Sequence, residues 1–138
     1  MNNKKIIFQS FFLIILFWLV ISVIIPLPIE KSLPLVSIYN QDQIPHNVTI
    51  EMKDSDTNLI YKNTLLVEQK TPYYVERDWA TAVKIYIPIL LTDRAPDYDF
   101  NVSIDANPPT HSKLLFPQGS IIDIHIINST SRISSTGI

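Results

Sequence analysis

The chain has no cysteine, which removes disulfides, iron–sulfur clusters, thiolate nucleophiles and Cys-ligated zinc or copper from the chemistry open to it. It has only two glycines, Gly119 and Gly137. A phosphate-cradling glycine-rich loop is thereby excluded, and neither Gly-x-Ser-x-Gly nor His-Glu-x-x-His occurs, so no nucleophile elbow or zinc-protease helix is present in the sequence. A basic run is missing too. Beyond Pro26 there are 9 Lys and Arg against 13 Asp and Glu, a balance of −4, which offers phosphate backbones no footing and argues against nucleic acid as a partner. This poverty of catalytic motifs predicts a protein that is not an enzyme.

What the chain does have is a long apolar run. Ile6 to Ile25 contains no charge and no proline, and as an α-helix it would span about 30 Å, the thickness of a bilayer's hydrocarbon core. In hydrocarbon a helix satisfies its own backbone N–H and C=O groups, so the run reads as one transmembrane helix in contact with lipid. Lys4 and Lys5 precede it, which predicts a cytoplasmic stub at residues 1–5 and an extracytoplasmic domain on the other side. A cleavable signal peptide also begins with a basic stub, but its apolar core is shorter and ends at small residues. Here Pro26-Leu27-Pro28-Ile29 follows instead, and a retained signal anchor in the cell membrane is expected. Residues 26–34, PLPIEKSLP, carry three prolines and predict a stiff, extended stalk.

After the stalk the apolar period becomes two. Within His46 to Lys53, Val48, Ile50 and Met52 alternate with Asn47, Thr49 and Glu51; within Tyr98 to Ala106, Tyr98, Phe100, Val102, Ile104 and Ala106 alternate with Asp99, Asn101, Ser103 and Asp105. Both are patterns of half-buried strands. Val83, Ile85, Ile87 and Ile89 repeat the alternation, predicting a further strand over Val83 to Ile89. Strands are also expected at Leu35 to Asn40, Leu59 to Val67, Tyr73 to Glu76 and Ile121 to Asn128, separated by turn clusters such as Asp54-Ser55-Asp56-Thr57-Asn58. Seven or so short strands at this spacing predict an all-β fold, a β-sandwich over residues 35–128. No helical pattern is evident outside the anchor, and residues 129–138 read as a frayed polar tail.

Two local resemblances refine the fold. Tyr98-x-Phe100-x-Val102-x-Ile104, entered through Ala95-Pro96-Asp97, resembles the strand bearing the tyrosine corner of immunoglobulin-like sandwiches, which implies that the Tyr98 hydroxyl bonds backbone at the preceding corner. The stretch from Val36 to Val48, with Pro45-His46-Asn47-Val48, is similar to the first copper-ligand hairpin of small cupredoxins. That resemblance implies His46 as a copper ligand and points to His111 before Gly119 as its companion. The cupredoxin cysteine is absent and no methionine follows Met52, so a blue-copper centre is excluded. What survives is an imidazole-only copper or zinc site on His46 and His111, with His125 as a third candidate, set against a turn with nothing bound and therefore no cofactor.

Other clusters have simpler readings. Asp54-x-Asp56-x-Asn58 matches the start of a calcium loop, but Leu59 and Leu65 stand where that loop needs glycine and glutamate. Asp93, Asp97 and Asp99 gather carboxylates in one stretch, and Lys84 and Pro88 read as protection of a strand edge. Asn47, Asn101 and Asn128 each open an Asn-x-Ser/Thr sequon, available for glycosylation in a host that performs it. Gln9, Ser10 and Ser22 within the anchor could bond a neighbouring helix. The expectation is a membrane-anchored, non-catalytic interaction or accessory subunit of a membrane or envelope protein complex, with metal handling as the alternative.

Overall fold

The computed structural model describes residues 3–92, 94–117 and 119–137. The chain begins with helix α1 (Asn3–Leu19), continues through a π-helical turn (Val20–Ile24) and enters helix α2 (Pro26–Ser32). Together these give an apolar helical stretch, Lys5–Ile29, long and apolar enough to cross a membrane. From Lys5 to Leu19 the side chains stand exposed, with Phe8, Phe11, Phe17 and Trp18 all more than half exposed.

The expected extended stalk is instead largely helical. Proline is well suited to a helix's first turn, where its missing N–H would have no intrahelical partner, and Pro26 and Pro28 both stand in the first turn of α2. The same proline has a cost one turn earlier. In an α-helix the Ser22 carbonyl would accept from the N–H at position 26, which proline lacks. The Tyr86 hydroxyl supplies that bond, donating to the Ser22 carbonyl.

Eight strands follow: β1 (Pro34–Asn40), β2 (His46–Asp54), β3 (Leu59–Val67), β4 (Pro72–Glu76), β5 (Asp97–Ile104), β6 (Thr110–Leu115), β7 (Ser120–Ile127) and β8 (Thr130–Gly137), with helix α3 (Trp79–Thr92) between β4 and β5. They form two four-stranded sheets, ordered β4-β1-β7-β8 and β3-β2-β5-β6. All pairings are antiparallel except β1 with β7. The fold is therefore mostly β, in two sandwich-like layers, with an N-terminal apolar helix.

The period-two patterns explain the core. Leu35, Val36, Ile38, Ile122, Ile124 and Ile126 from one sheet meet Val48, Ile50, Met52, Phe100, Val102 and Ile104 from the other in a single buried cluster. Each fully buried Ile or Val contributes about 1.5–3 kcal/mol of burial energy, which the ordering of the chain must be set against.

Three sequence expectations are corrected. Val83 to Ile89 is not a strand: it lies within α3, whose Ala82, Ile85 and Tyr86 face inward at helical spacing. The alternation there comes from branched residues on a helix apolar on most sides. Asp78 marks the helix start, its carboxylate accepting the Thr81 N–H at 2.6 Å, as an N-cap does. Ile85 does join the common core, but from the helix, and Ile87 stays half exposed. Lys84 and Pro88, being in α3, protect no sheet edge. Residues 130–137 are not a frayed tail but edge strand β8, paired with β7 along its whole length. Finally, β1 and β2 are not a hairpin, because the turn between them carries the chain from one sheet to the other.

Scarcity of glycine shows in the turns. The two-residue β7–β8 hairpin needs two central residues at positive φ and places Asn128 (53°) and Ser129 (56°) there, and the five-residue β5–β6 connection opens on a turn with Asp105 (51°) and Ala106 (63°) in the same region. Asn and Asp tolerate that region better than other non-glycine residues.

Candidate functional site

The end of the sandwich far from the anchor gathers the starts or ends of β1, β2, β3, β5 and β7, and its polar side chains converge on His46. This residue is 1 % exposed. Its Nδ1 donates to Asp105 Oδ2 at 2.5 Å and its Nε2 to Asp42 Oδ2 at 2.9 Å. Two donor nitrogens require the imidazolium form. Burial disfavours that charge, yet the bonds to Asp105 and Asp42 prevail and hold the His46 pKa above its ordinary 6.5.

The carboxylates are anchored in turn. Asp42 accepts the backbone N–H groups of Asn128 and Ser129 at 2.7 and 2.8 Å, tying the β1–β2 loop to the β7–β8 turn. Those bonds, that from Ser129 foremost, keep its pKa below the ordinary carboxylate value despite partial desolvation. Asp105 also accepts the Asn47 N–H at 2.8 Å; its pKa is lowered chiefly by His46 and then by that backbone bond. Beside them the buried Asn40 donates from Nδ2 to the carbonyls of Ile44 and Val67 and accepts the Asp42 N–H.

The candidate metal ligands are not brought together. His46 points into the sandwich, whereas His111 lies exposed on β6 and bonds Asn101 Oδ1 from Nδ1 on the outer face of the other side of the same sheet. Because Asn101 pairs with both His111 and Glu51, five residues beyond His46 on β2, the two rings are roughly 17 Å apart along the strand direction. His125 is on the outer face of the other sheet, 3.3 Å from Gln41 Nε2 and edge-on to Tyr39. Among the described residues, no group of three or more His, Cys, Asp or Glu is arranged to hold a metal ion.

The remaining sequence candidates have local partners. Asp54 accepts from the Asp56 and Asn58 N–H groups and from Asn58 Nδ2, closing the β2–β3 turn. Asp97 is 3.5 Å from Lys113 Nζ, Asp99 pairs across strands with Lys53 and Lys113, and Asp93 lies outside the described residues. Asn47 and Asn128 are exposed, whereas Asn101 is half-buried and engaged by His111. Tyr98 is buried edge-on against Phe116 at 6.0 Å, and burial raises its pKa to about 12. Among the described residues its hydroxyl makes no hydrogen bond to the preceding corner.

Sequence reasoning missed Arg77. It is fully buried, donating from Nη2 to the Ser120 carbonyl at 2.8 Å and to that of Pro34 at 3.4 Å, with its guanidinium 5.5 Å from the centre of the Phe116 ring. It thereby fastens the entrances of β1 and β7 at the anchor end. A lone Arg directly after the short alternating run Tyr73 to Glu76 was the only signal, and its partners are 43 residues away on either side.

The larger surface hollows are open. One of about 430 Å³ lies over Lys53, Asp99, Asn101, His111 and Lys113 on the outer face; another of about 310 Å³ lies between Lys31, Pro34, Tyr74 and Glu76. Comparison with protein-family models, curated proteins and solved structures finds no match.

Proposed function

We propose that this chain is a single-pass membrane protein, N-terminus in the cytoplasm, holding a non-catalytic immunoglobulin-like or cupredoxin-like sandwich outside the membrane as an interaction or accessory subunit of a membrane or envelope complex. The observation that carries this reading is the apolar helical stretch Lys5–Ile29, exposed from Lys5 to Leu19, which runs directly into the β domain. Two antiparallel-rich sheets over one alternating core support the sandwich class. A binding role is supported by the way the domain uses its polar groups. His46, Asp42, Asp105 and Arg77 are committed to holding loops and strand ends, leaving the domain's outer surfaces and sheet edges for contact.

The reading is tested in native membranes solubilised mildly and sized by sedimentation, with the chain followed by a C-terminal tag. It predicts co-migration with an assembly much larger than the chain, lost when residues 35–137 are replaced by an unrelated soluble domain behind the same anchor. Migration of the intact chain as a monomer, unchanged by chemical cross-linking beforehand, would contradict it.

A further inference from the structure

Helix α3 is unusual for a helix bridging two sheets. Its sequence, WATAVKIYIPILLT, carries one charge, Lys84, and its inward residues leave another apolar side uncovered: Trp79 is 53 %, Val83 41 % and Leu91 77 % exposed. At fourteen residues it is about 21 Å long, too short to cross a bilayer. Apolar helices of this length fill a core or lie in an interface; one side of α3 does the first through Ile85 and Ala82, and the exposure of Leu91 and Trp79 leaves the other side for the second.

Its position supplies the second observation. α3 packs against α2, and its Tyr86 hydroxyl bonds the Ser22 carbonyl. Ser22 lies within the apolar run, three residues before its end at Ile25, or roughly 4–5 Å inside the hydrocarbon boundary if the run spans it. A tyrosine reaching that carbonyl must start from a backbone in the adjoining interfacial layer, which is only about 5–8 Å thick on each side. The contact also has a reason to exist at that depth. The carbonyl freed by Pro26 finds no water in hydrocarbon, and a polar group there needs a protein donor.

We propose that α3 is an interfacial helix, lying along the outer surface of the bilayer beside the anchor with Trp79, Val83 and Leu91 among the lipid headgroups and upper acyl chains. The inference rests on the spanning role given to Lys5–Ile29 and goes beyond it: the β domain does not hang on a stalk but is seated on the membrane through a second, non-spanning element. Ile25 at the end of the apolar run and Ile29 in α2, the helix that packs against α3, are likewise exposed, and a lipid surface would cover them together with the uncovered side of α3. Tryptophan and tyrosine are the side chains that settle at this level, and an amphipathic lie in the interface needs no further protein partner.

The chain's two tryptophans, Trp18 in the anchor and Trp79 at the start of α3, make the test direct. Full-length Trp18→Phe and Trp79→Phe variants are reconstituted into vesicles containing lipids brominated either near the headgroup or near the chain end, and tryptophan emission is compared with unbrominated vesicles. The expected result is that Trp18 is quenched in the Trp79→Phe protein, and that Trp79 in the Trp18→Phe protein loses most of its emission to shallow bromines and less to deep ones. Quenching of Trp18 with Trp79 untouched would overturn the interfacial helix while leaving the anchor intact. Stronger quenching of Trp79 by deep bromines would also overturn it, by placing α3 in the hydrocarbon core. If neither tryptophan is quenched, the anchor reading itself fails and the inference falls with it.

Discussion

The two ends of the β domain are held together by opposite means. At the far end three loops are tied by charged and polar groups around His46, with Asp42 and Asp105 as bridges. At the anchor end the contacts are largely apolar and helical, α3 against α2 and the anchor, with Arg77 and the Tyr86 hydroxyl as polar fasteners. Both ends hold loops whose backbone groups the sheets cannot pair. On the proposed seating they differ in what lies outside. An end in water can use ion pairs between partly solvated groups, whereas an end beside a membrane gains more from apolar surface and from hydroxyl bonds to orphaned carbonyls.

The comparison breaks most severely through the core that both ends share. Val102→Asp buries an unpaired charge between the sheets and should cost about 4 kcal/mol or more, enough to unfold the domain, while Ser103→Asp on the outer face should stay within about 0.5 kcal/mol. Denaturant melts of the two variants check the assignment of faces. Next in size is the anchor-end fastener: Arg77→Ala removes the donor to the Ser120 carbonyl and the packing on Phe116, and should lower stability by about 3 kcal/mol, read from the same melts.

The far end should reveal itself through pH rather than through size. The His46 imidazolium, its pKa raised above 6.5, contributes fully below about pH 6.5 and is lost as pH rises through the raised value. Asp42 and Asp105, lowered from 3.8, contribute above that pH and are lost as pH falls through their lowered values. Thermal stability should therefore plateau between these limits and decline on the alkaline side. His46→Gln should remove the alkaline decline attributable to this site, and an unchanged profile would show that the ring is not charged in the folded protein. The smallest effect belongs to the outer face. Glu51, with its pKa held near 2 by Lys53 and then Lys62, lies at 2.7 and 3.0 Å from their ammonium groups, yet Glu51→Gln should cost less than about 1 kcal/mol because these pairs are solvated.

Strands whose two faces meet different surroundings were legible from the sequence. The alternation from Tyr98 to Ala106 is reproduced as β5 as far as Ile104, with Asp105 and Ala106 in the turn that follows, and Leu59–Val67 has the bounds its flanking turns suggested. Legibility failed where the period was accidental or blank. Val83 to Ile89 alternates because branched residues crowd a helix apolar nearly all round, and the Asp78 cap with inward Ala82, Ile85 and Tyr86 was the better guide. β8 is an edge strand whose Ile133 alone packs against the core, so its sequence looks like a tail. The far-end network could not be read at all. Pro45-His46-Asn47 drew attention to the right histidine, but its role depends on Asp105, 59 residues away, and on a bridge from Asp42 to Asn128 across 86.

The absence of cysteine allows the central claim, that Lys5–Ile29 spans a membrane with the β domain on its outer side, to be tested by single-cysteine labelling in intact cells. Asn3→Cys and Ser134→Cys are each treated with a membrane-impermeant maleimide before and after lysis. The account predicts that Ser134→Cys is labelled in intact cells and Asn3→Cys only after lysis, both on a membrane-bound chain of full mass. Labelling in the reverse order, or a labelled Ser134→Cys chain shortened by loss of the apolar segment and released from the membrane, would contradict it.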